Sequence, residues 1–231
     1  MAGTPNQIAI RAGLREARQY PADVTPADFE AVARVGRAAR GDQRLLARAL
    51  LRQALFDATG MAGDLWRIER APDGRPLAVT PDGKPGPDVS VAHSGLYAIA
   101  GVAMAMRIGV DIETLRPGRD WRAIAEAYFS DDERALAEAR GEGGFLALWT
   151  LREAIGKAAG GGVARALLLD GAPLPAAVGD AARLSVDGTP CVVAQRGIGP
   201  VQLAVACLGA ATEAVVAAAL DAACASIQSA T

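Results

Sequence analysis

Three short stretches of this sequence hold residue types able to do chemistry. The first is residues 107–113, Arg-Ile-Gly-Val-Asp-Ile-Glu, which alternates as a strand does. Ile108, Val110 and Ile112 point one way, and Gly109, Asp111 and Glu113 the other. Asp111 and Glu113 then share a face, with Cβ atoms about 7 Å apart. Two carboxylates so placed repel one another. An edge strand in water tolerates this. A strand with one face buried, as the three apolar partners indicate, needs a cation between them. Hard oxygen ligands at this separation suit Mg²⁺, which takes one or two carboxylates and fills its octahedron with water and substrate phosphate. A solvated acidic face is the competing reading of the pair alone.

The second stretch is residues 149–157, Trp-Thr-Leu-Arg-Glu-Ala-Ile-Gly-Lys. On a helix, Trp149, Glu153 and Lys157 stack on one face at i, i+4 and i+8. An ordinary Glu-to-Lys helix pair, worth about 0.3–0.5 kcal/mol, is the plain reading. Two features point past it. Lys157 is one of only two lysines, with Lys84, in a chain that carries 22 arginines and 52 alanines. Gly156 costs about 1 kcal/mol against alanine inside a helix, and it would let something approach closely. The third stretch, Val-Ala-His-Ser-Gly at 91–95, holds the sole histidine, His93, at a strand end beside a turn. Such a histidine is either a hydrogen-bonded structural residue or, with nearby backbone N–H groups, part of an anion site. A further cationic stripe, Arg44, Arg48 and Arg52, falls at i, i+4 and i+8, and its plain reading is a solvated helix face.

The elements that must position these residues follow from pattern. Thr25-Pro26, with Asp28 and Glu30, opens a helix expected to reach about Arg40. Gly41-Asp42 is expected to break it and cap a second helix to about Ala58. Strands are expected at 65–70, 76–79, 89–92, 97–103 and 107–113, with a proline- and glycine-rich loop at 80–88. Residues 1–20 show only weak patterning. A helix follows at 121–128, and Ser130 to Glu133 has the spacing of a capping box that opens another. A third runs over 145–158, ended by Gly160-Gly161-Gly162. Strands are expected at 165–169, 183–186, 191–195 and 201–208, with an Asp187-Gly188 hairpin turn. An alanine-rich helix over 212–227 closes the series. Helices then strands, twice, predict an α+β chain of two similar halves, 1–105 and 106–231, the second carrying the carboxylates and Lys157.

Composition narrows the function classes. The chain has 231 residues, 51% apolar and 22% charged, the proportions of a globular protein. Its 24 basic and 26 acidic residues give a net charge of −2, so there is no general basic field for nucleic acid. Cys191, Cys207 and Cys224 are odd in number and widely spaced, and fit neither a disulfide framework nor a zinc cluster. The start lacks a secretory pattern. The most apolar run, 208–227, is broken by Glu213 and Asp221, too soon for a membrane span. A cytoplasmic protein with no membrane partner is expected.

Taken together, His93-Ser94-Gly95, then Gly-Val-Asp-Ile-Glu at 109–113, then the 149–157 helix motif resemble the 4′-phosphopantetheinyl transferases. Length and the two-half organisation are similar to the surfactin-synthetase-activating type, a monomer folded as a pseudo-twofold pair of halves, each with helices packed on a small, mainly antiparallel sheet. The resemblance implies transfer of 4′-phosphopantetheine from coenzyme A to a serine of an acyl or peptidyl carrier protein, as in polyketide or nonribosomal peptide synthesis, releasing adenosine 3′,5′-bisphosphate. It implies Mg²⁺, or Mn²⁺ in its place, held by Asp111, Glu113 and Glu153. Glu153 would also take the serine proton, Lys157 would meet the pyrophosphate, and His93 the 3′-phosphate.

Some positions depart from the family pattern. Ala92 stands where the family has a serine before the histidine, and Arg152 where it has a lysine. Its Gly-Lys-Pro strand start has two counterparts, Gly74-Arg75-Pro76 and Gly83-Lys84-Pro85, of which Arg75 is preferred for the nucleotide. Arg44 and Arg48 are both candidates for the upstream phosphate contact. Glu133 matches an acidic family position, yet the capping box explains it equally. Two other readings stand beside the transferase: a Mg²⁺-dependent phosphodiesterase or nuclease using the same carboxylates, and a carrier-binding module without activity.

Overall fold

The computed structural model describes residues 7–15, 24–33, 38–167 and 181–229. The chain runs through β1 (Ile8–Leu14), α1 (Pro26–Ala33), α2 (Ala38–Thr59), β2 (Arg67–Arg70), β3 (Pro76–Val79), β4 (Asp88–Ser94), β5 (Tyr97–Ala103) and β6 (Arg107–Thr114). It continues through α3 (Trp121–Tyr128), α4 (Asp131–Ala159), α5 (Gly162–Leu167), β7 (Ala182–Val186), β8 (Thr189–Ile198), β9 (Val201–Leu208) and α6 (Glu213–Gln228). All pairing is antiparallel. One sheet has the order β1-β5-β4, a second β6-β9-β8-β7, and β2 and β3 form a separate hairpin.

The two larger sheets meet where β4 lies beside β6. Among the described residues no backbone ladder joins them. Asp88 Oδ2, Ser90 Oγ and Ser94 Oγ instead accept from the N–H groups of Ile108, Val110 and Thr114 at 2.8, 3.1 and 3.2 Å. One core lies between the sheets and is closed by Val216, Leu220, Ala223 and Ile227 of α6, against Ile10 of β1 and Ile108, Val110 and Ile112 of β6. A second packs α2 on the other face of the first sheet through Leu50, Leu51 and Leu55. The third packs α3 and α4 on the second sheet, through Trp121, Phe145 and Ile155 against Val193 and Ala206. The alternation read at 107–113 therefore holds: Ile108, Val110 and Ile112 enter the inter-sheet core, and Gly109 faces α4.

Several expectations are corrected. β1 lies where the sequence is weakly patterned, because Ala9, Ala12 and Gly13 blur its alternation; pairing with β5 defines it. Gly41-Asp42 does not break a helix but lies inside α2. Tertiary packing of α2 overrides the glycine's weak helix propensity. Residues 165–167 belong to α5, not to a strand; 168–169 lie outside the described residues. The capping box at Ser130 and Glu133 is present, and the backbone break at Gly141 (φ 66°, ψ −156°) divides α4 near where two helices are expected. Asp187 and Gly188 both have positive φ, as a two-residue hairpin turn requires.

The arginine stripe is not a uniformly solvated face. Arg52 is buried, its guanidinium on Asp28 of α1 and on the carbonyls of Gly63 and Trp66. Arg48 also reaches Asp28, at 2.7 Å. Burial alone would push the Asp28 carboxyl up, but bonds from Arg52, Thr25 and Arg48 outweigh it and hold it at about 2. This cluster ties α1 to α2. No helix among the described residues is long and apolar enough to cross a membrane.

Candidate active site

The site forms where β6 passes beneath α4, and a glycine sets the spacing. A Cβ on Gly109 would lie 1.9 Å from the carbonyl oxygen of Ala154 and 2.5 Å from the amide of Ala158. Only glycine allows the strand so close to the helix. That contact brings Glu153 and Lys157 of α4 over Asp111 and Glu113 of β6. One ligand oxygen from each of Asp111, Glu113 and Glu153 lies within 4.8 Å of the other two.

Lys157 is not mainly a helix-pair partner. Its Nζ donates to Asp111 Oδ1 at 2.6 Å and to the carbonyl of Val110 at 3.1 Å, while Glu153 Oε2 stands 3.9 Å away. Asp111 is 3% exposed, and its Oδ2 is buried with no hydrogen-bond partner. A buried, unpartnered carboxylate oxygen facing two further carboxylates fits a hard divalent cation. Glu153 also takes a side-chain hydrogen bond from Trp149 one turn earlier, so the stacked face of α4 is used in full. Glu113 is held from another side: its Oε2 accepts from Ser94 Oγ at 2.8 Å and from Arg116 Nη2 at 3.0 Å, with Arg119 Nη2 at 3.6 Å.

Burial pushes the Asp111 carboxyl up, to about 8; Lys157 opposes this, and the charges of Glu153 and Glu113 add to it. Burial likewise raises Glu153, opposed by Lys157 and reinforced by Glu113. In the metal-free chain the folded state therefore holds more protons than the unfolded one between the ordinary carboxylate range and about pH 8. Stability from Asp111 falls as pH rises through that window. A cation must displace the proton. The affinity for Mg²⁺, measured by calorimetry without substrate, is expected to rise about tenfold per pH unit from pH 6 to 8 and then level off. A flat profile would mean that Asp111 is already ionised and not the group displaced.

A second feature lies across β4. A cavity of about 590 Å³ is lined by Arg44, Arg48, Arg70 and His93, with Leu51 and Ile68 among its apolar walls. Arg75 is not among the described residues lining it: its guanidinium sits 3.0 Å from Asp73 and 3.6 Å from Asp88. Lys84 pairs with Asp82 on an exposed turn. Arg70, which sequence reasoning passed over, does line the cavity. The cavity and the carboxylates share a strand end, because His93 lines the first and its neighbour Ser94 bonds Glu113 of the second.

Glu133 lies outside the carboxylate cluster. It makes the capping box with Ser130 and a two-pronged pair with Arg152, at 2.9 and 2.6 Å. The fork of Arg152 also reaches the carbonyl of Ala166, which a lysine could not match. Arg116 and Arg119 were likewise missed. The signal was available: both follow the paired carboxylates within one Arg-Pro-Gly-Arg turn.

Comparison with known proteins falls on the same region. Residues 107–197 match the model of the 4′-phosphopantetheinyl transferase superfamily. The 4′-phosphopantetheinyl transferase HetI of Nostoc sp. is 29% identical over 122 residues, 51% of this chain and 52% of HetI. A putative 4′-phosphopantetheinyl transferase of Synechocystis sp. is 34% identical over 100 residues, 42% of this chain and 40% of its own length. The 4′-phosphopantetheinyl transferase AcpT of Salmonella typhi is 36% identical over 93 residues, 38% of this chain and 48% of AcpT. The chain thus spans about half the length of the curated relatives it matches. The likeness to that superfamily rests on the segment from β6 to β8, which supplies Asp111, Glu113, Glu153 and Lys157.

Proposed function

We propose that this chain transfers the 4′-phosphopantetheine arm of coenzyme A to a serine hydroxyl of an apo carrier protein and releases adenosine 3′,5′-bisphosphate. The observation that carries the reading is the trio Asp111, Glu113 and Glu153 with Lys157, inside the matched segment and one strand away from an arginine-lined cavity. The cavity takes the nucleotide end, with Arg44, Arg48, Arg70 and His93 on its phosphate. The pyrophosphate crosses the end of β4 to the carboxylates. Asp111, Glu113 and Glu153 would hold Mg²⁺, which when bound would supply positive charge against the pyrophosphate. Glu153, with its raised pKa, accepts the serine proton directly or through one water. The serine oxygen bonds to the phosphorus nearer pantetheine, and the bond from that phosphorus to the bridging oxygen breaks. Lys157 steadies the charge left on the bisphosphate.

The reading extends to the surfactin-synthetase-activating subtype, with 1–105 and 106–231 as two similar halves. A strand, helices and further strands occur in that order in each half, which supports it. A cytoplasmic monomer goes with this reading, and three buried free thiols accord with a reducing compartment. The test is mass spectrometry of an apo carrier protein incubated with coenzyme A and Mg²⁺. A gain of one phosphopantetheine on the carrier serine supports the proposal. Cleavage of coenzyme A without carrier modification would favour a phosphodiesterase, and no reaction a binding module.

His93 gives a second check. Its work in this reading is binding, remote from the bond that breaks, so His93→Ala should raise KM for coenzyme A with little effect on kcat. Wild type should prefer coenzyme A over its 3′-dephospho form, and the variant should lose about tenfold of that preference, the worth of one charged contact of about 1.5 kcal/mol. A variant that loses stability and keeps the preference would make His93 a packing residue.

A further inference from the structure

We infer that Ser94 is a positioning residue for the candidate cation site: its hydroxyl fixes the Glu113 carboxylate so that one of its oxygens is left for the metal. The role rests on the metal reading above and goes beyond it, since it concerns a residue that makes no contact with the cation itself.

The argument is one of hydrogen-bond capacity. Ser94 is 2% exposed. A serine hydroxyl has one proton to give and two lone pairs to receive. An ionised carboxylate only accepts, so the contact at 2.8 Å to Glu113 Oε2 takes the proton. The Thr114 N–H at 3.2 Å and Arg116 Nη2 at 3.1 Å only donate, so they fill both lone pairs. These three bonds use the full capacity of the hydroxyl, and turning its proton to the alternative acceptor Thr114 Oγ1, 3.3 Å away, would lose the shorter bond to Glu113. On the carboxylate side, the described contacts from Ser94, Arg116 and Arg119 all fall on Oε2. That leaves Oε1 as the oxygen for a cation. Removing a group that orients a metal ligand in this way typically costs about 10–100-fold in metal affinity.

The plain alternative is that Ser94 is one rung of the seam between the sheets. Asp88, Ser90 and Ser94 all accept from β6 amides twenty residues further on, and Ala92, in the same register, offers no such oxygen opposite Ile112. Ser90 supplies the control, because it is buried, makes the same kind of rung to Val110 and is not bonded to Glu113.

The test compares Ser94→Ala, Ser90→Ala and Ser94→Thr in the full chain, with Mg²⁺ and Mn²⁺ affinities by calorimetry without substrate and Tm alongside. Both alanine variants should lose Tm to a similar degree. Ser94→Ala alone should weaken cation affinity, by about tenfold, and Ser94→Thr should restore most of it by returning the hydroxyl. Cation binding to wild type with equal affinities for Ser94→Ala and Ser90→Ala overturns the positioning role and leaves the metal reading standing. No binding to wild type at any pH from 6 to 9 overturns both.

Discussion

Glu153→Gln is expected to lower kcat by about three orders of magnitude while coenzyme A still binds. The substitution keeps the shape of the side chain and the acceptor for Trp149, but it removes the proposed proton acceptor and one of the three clustered carboxylate charges. General base catalysis alone contributes about 10²–10⁴-fold. The proposed nucleotide contacts line the cavity across β4 and are untouched, so the loss should fall on turnover and not on affinity. Lys157→Ala should behave differently. In the proposed reaction it meets the pyrophosphate in ground and transition states alike, and its Nζ is also the counter-charge to Asp111 at 2.6 Å. Both binding and rate should therefore fall. Single-turnover rates and calorimetric coenzyme A affinities separate the two patterns. Equal, mild losses in both variants would reduce the pair to an ordinary helix contact and remove the proposed base. The geometry already weighs against that outcome, because Lys157 stands nearer the strand than its helix neighbour Glu153.

How much of this was legible in the sequence depends on the range of the interaction. Local signals read well. The period-two alternation at 107–113, the capping box at Ser130 and the positive-φ pair at Asp187-Gly188 each depend on a few neighbouring residues, and each appears as expected. Long-range partners read poorly. β1 is defined by β5 beside it, and the small residues Ala9, Ala12 and Gly13 blur its local alternation. Arg52 looks like its neighbours on a charged stripe, yet Asp28, distant by 24 residues, makes it a buried strut. The Asp111 and Glu113 pair was reachable from spacing because both sit on one face of a regular strand, whereas Glu153 joined them through the family resemblance. Arg75 was preferred over Lys84 and Arg70 was not considered, since which side chain lines the cavity depends on how a short hairpin is placed in the fold, and local pattern does not encode that. Gly156 did mark a close approach, but of α5: a Cβ there would stand 2.5 Å from the Gly162 carbonyl and 2.7 Å from the Ala166 amide.

Gly109→Ala is expected to be the most damaging single methyl group in the chain. The added Cβ would meet the carbonyl oxygen of Ala154 at 1.9 Å and the amide nitrogen of Ala158 at 2.5 Å. Both are backbone atoms of a helix and cannot rotate aside, so relief requires α4 to lift from β6. Overpacking of this kind costs about 3 kcal/mol or more, which lowers Tm by about 6–12 °C in a chain of this size. The consequence for chemistry is larger than the consequence for folding. Asp111 and Glu113 lie on the strand, Glu153 and Lys157 on the helix, and the glycine is what lets the two sets come within reach of one another. Lifting the helix should therefore abolish measurable Mg²⁺ binding at temperatures where circular dichroism still reports a folded protein. Gly156→Ala is the companion variant. It pushes against α5, on a different side of α4, and should lose stability while keeping most of its cation affinity. A Gly109→Ala protein with the Tm and the Mg²⁺ affinity of wild type would show that α4 does not lie this close to β6. The shared cation site built on that contact would fall with it.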